Sequence, residues 1–280
     1  MTDLFTPLSF QHGPAMKNRF MLAPLTNTQS HPDGTPSDDE FAWLTYRAEG
    51  GFGLTMTCAA HVQAIGQGFP GQLGVFGDQH LPGLTRLAAA IKAKGSIAAL
   101  QLHHAGNRSP QELIGQAPVC PSDDPETGAR ALTLAEVEQL REDFIAAAVR
   151  AEKAGFDGVE IHGAHGYVLC QFLSPTLNRR EDRYGGCEEN RNRLLLEIVA
   201  AVRDVWPQDR PLIVRLSAED KAGDGGNHLE VTTRLAQSLK ALGVDLLGIS
   251  AGGLAPTFNG QIVPGYQVPY AAHIRQQVGI

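Results

Sequence analysis

Two imidazoles and a phenol crowd the segment Glu160-Ile161-His162-Gly163-Ala164-His165-Gly166-Tyr167. Neutral imidazole N–H groups polarise a carbonyl or nitro oxygen, and a tyrosine hydroxyl can deliver a proton. The small residues Gly163, Ala164 and Gly166 let the backbone turn tightly enough for His162 and His165 to address one ligand atom. A donor aimed at developing negative charge contributes about 2.7–4 kcal/mol of transition-state stabilisation, enough to matter for an enolate-like intermediate. The plain alternative is that each histidine is a satisfied structural residue. That reading suits His103 or His104 taken singly and loses force for a pair coupled to Tyr167. A metal centre is the rival chemical reading, but no carboxylate or cysteine is assigned to complete a ligand shell, so neutral oxygen-binding donors are preferred and no metal is expected.

Three further polar groups punctuate apolar runs: Thr26 after Ala23-Pro24-Leu25, Gln101 inside Ile97–His103, and Arg215 inside Pro211-Leu212-Ile213-Val214-Arg215-Leu216-Ser217. A permanent cation in an apolar strand needs a partner, either a protein carboxylate or an anionic or electron-rich cofactor ring. Gln101 offers an amide donor and acceptor together, suited to the paired carbonyl and N–H edge of a flavin. Covalent hydrolysis is not favoured: Gly248-Ile249-Ser250-Ala251-Gly252 has the G-x-S-x-G spacing, but no helical segment follows it directly, as a nucleophile elbow requires.

These groups must be held by the elements they end. Short apolar runs at residues 19–25, 54–60, 97–103, 158–162, 212–217 and 246–250 read as strands of a parallel sheet covered on both faces. Amphipathic segments at residues 38–49, 81–94, 134–153, 190–205, 229–241 and 270–277 read as the helices between them. Thr133 and Glu136 fit a capping box at the start of the clearest helix, and Gly155 fits its stop. The alternation gives six βα units without a linker, hence a single domain over residues 1–280. A (β/α)8 barrel presents its chemistry at the C-terminal strand ends, where Thr26, Gln101, His162, His165 and Arg215 all fall, but it uses eight strands. The expectation is a TIM barrel incomplete at its C-terminal end. A doubly wound sheet is disfavoured because no G-x-G-x-x-G follows the first strand.

Composition narrows the partners. With 23 Lys+Arg against 30 Asp+Glu the formal charge is -7, so no general field draws in nucleic acid or an anionic bilayer. No apolar run is long enough for a membrane helix and no basic-then-apolar leader opens the chain, so a cytoplasmic protein is expected. The 4 cysteines (Cys58, Cys120, Cys170, Cys187) are scattered and read as free thiols.

Taken in order, these motifs resemble the Old Yellow Enzyme family of NADH:flavin oxidoreductases. The likeness runs from Leu4-Phe5-Thr6-Pro7 and Lys17-Asn18-Arg19 through Ala23-Pro24-Leu25-Thr26 and Gln101-Leu102-His103-His104-Ala105-Gly106 to His162-Gly163-Ala164-His165-Gly166-Tyr167. It continues as Phe172-Leu173-Ser174-Pro175-Thr176-Leu177-Asn178-Arg179-Arg180, Glu181-Asp182-Arg183-Tyr184-Gly185-Gly186 and Asn190-Arg191. The resemblance implies a TIM barrel that binds FMN without a covalent link and takes NADH or NADPH as reductant. Ala23, Pro24, Leu25 and Thr26 would line the flavin, Ala59 would give a backbone contact, Gln101 would bond the pyrimidine edge, and Arg215 would lie by N1 and the C2 carbonyl. His162 and His165 would bind the activating oxygen of an electron-poor alkene, and Tyr167 would donate the proton. Asn178, Arg180, Asp182, Tyr184, Asn190 and Arg191 of the signature read as a hydrogen-bonded scaffold. A homo-oligomer is a possible assembly; a catalytically silent, truncated flavin-binding remnant is the alternative function. The dienoyl-CoA reductase and amine dehydrogenase relatives, which add an iron–sulfur cluster, are disfavoured because the required cysteine cluster is missing.

Overall fold

The computed structural model describes residues 3–221, 225–254 and 262–280. Its strands are β1 (Met21–Leu22), β2 (Leu54–His61), β3 (Ile97–His103), β4 (Val119–Cys120), β5 (Arg130–Ala131), β6 (Gly158–Gly163), β7 (Leu212–Ser217) and β8 (Leu246–Ser250). Its α-helices are α1 (Asp38–Glu49), α2 (Leu81–Ala93), α3 (Gln111–Ile114), α4 (Leu134–Lys153), α5 (Val168–Leu173), α6 (Glu188–Val205), α7 (Leu229–Ala241) and α8 (Val268–Val278). Six strands form one sheet in the order β1-β2-β3-β6-β7-β8, every pair parallel; β4 and β5 make a separate small pair.

Strand order identical to chain order decides the architecture. Right-handed crossovers that all step the same way put every helix on one face of the sheet, whereas a doubly wound sheet reverses direction and covers both. The two faces accordingly carry separate cores. Ala60, Leu100, Leu102, Val159, Ile161, Val214 and Leu216 pack under the helices. Alternate residues Leu54, Met56, Ile97, Ala99 and Ile213 form the second cluster with Met16, and Leu8 and Phe10 pack against it from the N-terminal segment. That segment is bridged antiparallel at Leu8 and Met16. It is tied down by the buried Asp245, whose carboxylate accepts the His12 backbone N–H (3.0 Å), His12 Nδ1 (2.9 Å) and the Leu212 N–H (2.9 Å). The result is a partial (β/α) barrel of six βα units.

The first strand is shorter than the sequence suggests. Only Met21 and Leu22 pair with β2, because Pro24 has no N–H to give a ladder and biases Ala23 away from regular continuation. Residues 23–26 therefore run as exposed or half-exposed chain beyond the strand, with Leu25 53% exposed. Helix α4 follows its expected caps: Thr133 Oγ1 accepts the Glu136 N–H, Glu136 returns a bond to the Thr133 N–H, and Gly155 turns out of the helix at φ +84°. Helix α6 starts earlier than its apolar pattern, since Glu188 and Glu189 favour the positive end of its dipole. The signature loop before α6 is internally bonded: Asn178 Nδ2 donates to the carbonyls of Phe172 and Tyr184 (both 2.7 Å), and Arg180 donates to Pro121 and Leu132 carbonyls. No helix among the described residues is long and apolar enough to cross a membrane.

A candidate active site at the strand ends

Register places the polar residues in two rows on the concave face. One row runs Ala59, Gln101, Glu160, Ile213, each paired with the next across β2, β3, β6 and β7. Two residues nearer the C-terminal ends, His61 pairs with His103, and His162 pairs with Arg215, which pairs with Gly248. The period-2 alternation of a strand makes Glu160 and His162 neighbours on one face, as it does Gln101 and His103.

The loop after β6 is a tight turn. Tyr167 N–H donates to the Ala164 carbonyl (3.3 Å), and the two residues between, His165 and Gly166, have φ of +62° and +71°. A left-handed histidine is held only where its surroundings insist on it. Here the His165 N–H donates to Ser217 Oγ (3.1 Å), its carbonyl accepts Arg108 (2.6 Å), and its Nε2 meets Ser250 Oγ (2.7 Å). Gly166 is locked against the loop after β8: a Cβ on Gly166 would lie 2.3 Å from the Gly253 carbonyl oxygen, and one on Gly253 would lie 2.6 Å from His165 Cα.

This turn collects four rings. His162 and His165 have centroids 5.0 Å apart, Tyr167 lies 5.2 Å from His162 and 6.5 Å from His165, and His103 lies 4.3 Å from Tyr167. The Arg108 guanidinium sits 5.0 Å from the Tyr167 ring centroid. His162 is buried, and its Nδ1 accepts the Ala164 N–H (3.2 Å), so the neutral ring carries its proton on Nε2. His103 is fixed likewise: Gln72 Nε2 donates to its Nδ1 (3.0 Å), leaving a buried Nε2–H without a partner among the described residues. Ser250 Oγ accepts Gln267 Nε2 (3.0 Å), which leaves the serine proton available to His165 Nε2.

Burial holds these imidazoles neutral. His162 and His103 are pushed well below the ordinary histidine value, with nearby imidazoles adding to the effect; His165 is lowered to about 4 by burial, then by Arg215 and Arg108. His61 and His104, buried beside the site, fall to about 4 and about 3. In the unfolded chain each takes a proton near pH 6.5, so the unfolded state binds more protons between that pH and the folded values. The histidine contribution to stability is therefore fully present above pH 6.5 and falls as pH drops toward 4, offset in part by the buried Glu160 and Asp220, whose raised values favour the folded state as pH falls. A urea titration series should show the unfolding midpoint declining over this window, and a midpoint flat from pH 7 to 4.5 would contradict buried neutral rings.

Of the residues named from sequence, His162, His165 and Tyr167 cluster, and Gln101 and Arg215 lie on adjoining rows of the same face. Ala23, Pro24, Leu25 and Thr26 follow β1 at the same end of the sheet and make no part of that cluster. Ala59 is buried with its carbonyl accepting Gln72 Nε2 (3.0 Å). His104, bonded to Gln63 Oε1 (3.0 Å) and packed on Gly66, is structural. Sequence reasoning gave no functional role to Glu160, to His103, which taken singly it read as a structural residue, to Arg108 or to Ser217. The strand alternation carried the signal for the first two; nothing marked Arg108, which is brought in by a 3-10 turn after β3.

The donor set suits a flavin. Gln101 Nε2 donates to Glu160 Oε1 (2.6 Å), so the amide's Oε1 remains to accept an N–H, while Arg215 supplies a cation for a carbonyl or a charged ring nitrogen. The half-exposed apolar stretch 23–25 is a surface that a planar ring would cover.

A profile of the NADH:flavin oxidoreductase / NADH oxidase family matches residues 3–277. The NADPH dehydrogenase of Listeria innocua serovar 6a is 41% identical over 268 residues, covering 95% of this chain and 78% of the relative. Among solved structures, 2-naphthoyl-CoA reductase in complex with 2-naphthoyl-CoA superposes with a TM-score of 0.91 at 30% identity, covering 98% of this chain and 44% of that one. The old yellow enzyme homologue from Zymomonas mobilis gives a TM-score of 0.84 at 32% identity, covering 98% and 79%.

Proposed function

Because this chain belongs to the NADH:flavin oxidoreductase / NADH oxidase family, and is thereby an FMN-dependent NAD(P)H oxidoreductase of the Old Yellow Enzyme type, we propose that its acceptor is an alkene conjugated to a carbonyl or nitro group. FMN, when bound, accepts a hydride from the nicotinamide and passes it to the alkene carbon β to the activating group. The observation that carries the reading is the buried neutral His162, its proton fixed on Nε2, with the Tyr167 ring 5.2 Å away.

His162 Nε2–H donates to the activating oxygen and draws electron density off the double bond; His165 supplies the second side of that oxygen site. Because both rings stay neutral, the oxygen is polarised by dipoles and takes no proton from them, so the proton goes to carbon, from the Tyr167 hydroxyl. Arg108 holds the His165 carbonyl and packs on the Tyr167 ring, keeping the two in fixed relation. Gln101 and Arg215 hold the cofactor's polar edge, and Ala23, Pro24, Leu25 and Thr26 cover its face. In this reading residues 3–277 act as one FMN-binding barrel unit.

Two measurements test this. Under anaerobic conditions NADPH should bleach the FMN-loaded protein and a cyclic enone should restore the oxidised spectrum; bleaching without restoration would refute the alkene acceptor. Retained FMN with neither event would fit a catalytically silent flavin-binding remnant. Separately, Gln101→Leu and Arg215→Met should each weaken FMN binding about tenfold or more, the scale of losing a buried or charged hydrogen bond. A fluorescence titration showing wild-type affinity in both variants would remove these residues from the cofactor site.

A further inference from the structure

Glu160 lies between the two residues assigned to the cofactor edge, and its part in the site goes beyond orienting the Gln101 amide. It is 0% exposed, on the inward face of β6. One carboxylate oxygen accepts Gln101 Nε2 (2.6 Å), while Oε2 has no hydrogen-bond partner among the described residues. On the far side, Gly248 of β8 leaves a gap: a Cβ there would stand 3.1 Å from Glu160 Oε2 and 3.3 Å from Arg215 Cγ. The glycine thus admits the carboxylate and the guanidinium stem to one shared space. The groups facing Glu160 are Gln101 from β3, Arg215 from β7 and the bare backbone of Gly248 from β8; His103 and His162, two residues farther along their strands, are neutral.

We propose that Glu160 is a positioning residue for the cofactor edge, fixing the Gln101 amide and sharing Arg215, and that its free oxygen takes up a proton when the bound ring is reduced. The inference rests on the assignment of Gln101 and Arg215 to FMN. The amide argument is direct: an ionised carboxylate only accepts, so it fixes Gln101 with nitrogen toward Glu160 and oxygen toward the cofactor. The charge argument follows from Arg215. While the ring is oxidised, the guanidinium offsets the buried carboxylate through space. Hydride transfer brings two electrons and one proton from the nicotinamide, which is oxidised, and leaves one extra negative charge beside Arg215. The cation is then shared, the carboxylate loses its compensation, and a proton from water binds Oε2. When the hydride leaves for the acceptor, the charge goes with it and Oε2 releases that proton to water. Burial already pushes Glu160 up to about 7, with Arg215 and Gln101 acting in the opposite direction, so a modest added negative charge moves its titration across neutral pH.

The test is the midpoint potential of FMN on the holoenzyme as a function of pH, in wild type, Glu160→Gln and Glu160→Asp. One extra proton per two electrons adds about 30 mV per pH unit to the slope. Wild type should show this added slope above pH 7, Glu160→Gln should lose it, and Glu160→Asp should restore it with a shifted onset. If Glu160→Gln fails to hold FMN, the infrared difference spectrum of wild type on reduction decides: a protonated-carboxyl band supports the proposal and its absence overturns it. Equal slopes in wild type and Glu160→Gln also overturn it. Failure of the underlying assignment looks different, with affinity and potential indifferent to Gln101→Leu and Arg215→Met.

Discussion

Replacing Tyr167 by Phe should slow reoxidation of the reduced enzyme by an enone about 10²–10⁴-fold, the range for a positioned general acid, while reduction by NADPH changes little. The asymmetry is the diagnostic. Hydride transfer from nicotinamide needs no proton from the protein, whereas alkene reduction leaves a carbanion-like α-carbon that must be protonated. The ring itself stays in place in the variant, because its packing against His103 (centroids 4.3 Å) and under Arg108 (5.0 Å) does not use the hydroxyl. Stopped-flow measurement of the two half-reactions separates the cases. Equal slowing of both would mean that the phenol shapes the cleft instead of supplying the proton.

His162→Ala should cost about 10²–10³-fold in the same oxidative half-reaction, corresponding to the removal of one donor from developing negative charge. His162→Gln should recover part of this, since its amide nitrogen can reach toward the place of Nε2–H. The pH profile offers an independent check. With the imidazole held far below its ordinary value, the rate with enone should show no histidine titration between pH 5.5 and 8. A bell-shaped limb near pH 6.5 that vanishes in His162→Gln would mean that the ring is protonated in the working enzyme, and the dipole argument would fail.

Much of the scaffold was legible because its signals are local. Helix α4 reads from Thr133, Glu136 and Gly155 alone, and β3, β7 and β8 read from apolar runs whose bounds coincide with the observed strands. The cluster of His162, His165 and Tyr167 was legible for the same reason, being one turn. What local signals miss is the partner chosen across space. Ser217 and Ser250 hold His165 from strands 52 and 85 residues away, and Arg108 reaches its carbonyl across 57. Glu160 was within reach of sequence reasoning, two positions before His162 on a strand, but a carboxylate in an apolar run gains meaning only once Gln101 and Gly248 are seen to flank it. The first strand was overextended because apolar character ran on past Pro24, where hydrogen bonding does not.

The abutment of Gly166 on Gly253 divides the rim of the cleft into a part that can be edited and a part that cannot. Where two backbones touch with no side chain between them, neither Gly166 nor Gly253 can take on a side chain without displacing the other, so a substitution at Gly253 is transmitted to the His165 turn. Attempts to widen the range of acceptors by randomising Gly252 and Gly253 would mostly return misaligned chemistry instead of new selectivity. Pro125, Glu126 and Thr127 line a pocket that Gly166 and Gly253 also border, and variation there is better tolerated provided Asp124 is kept, because Asp124 is tied through Asn107 and Gln171 to the Gly166 carbonyl.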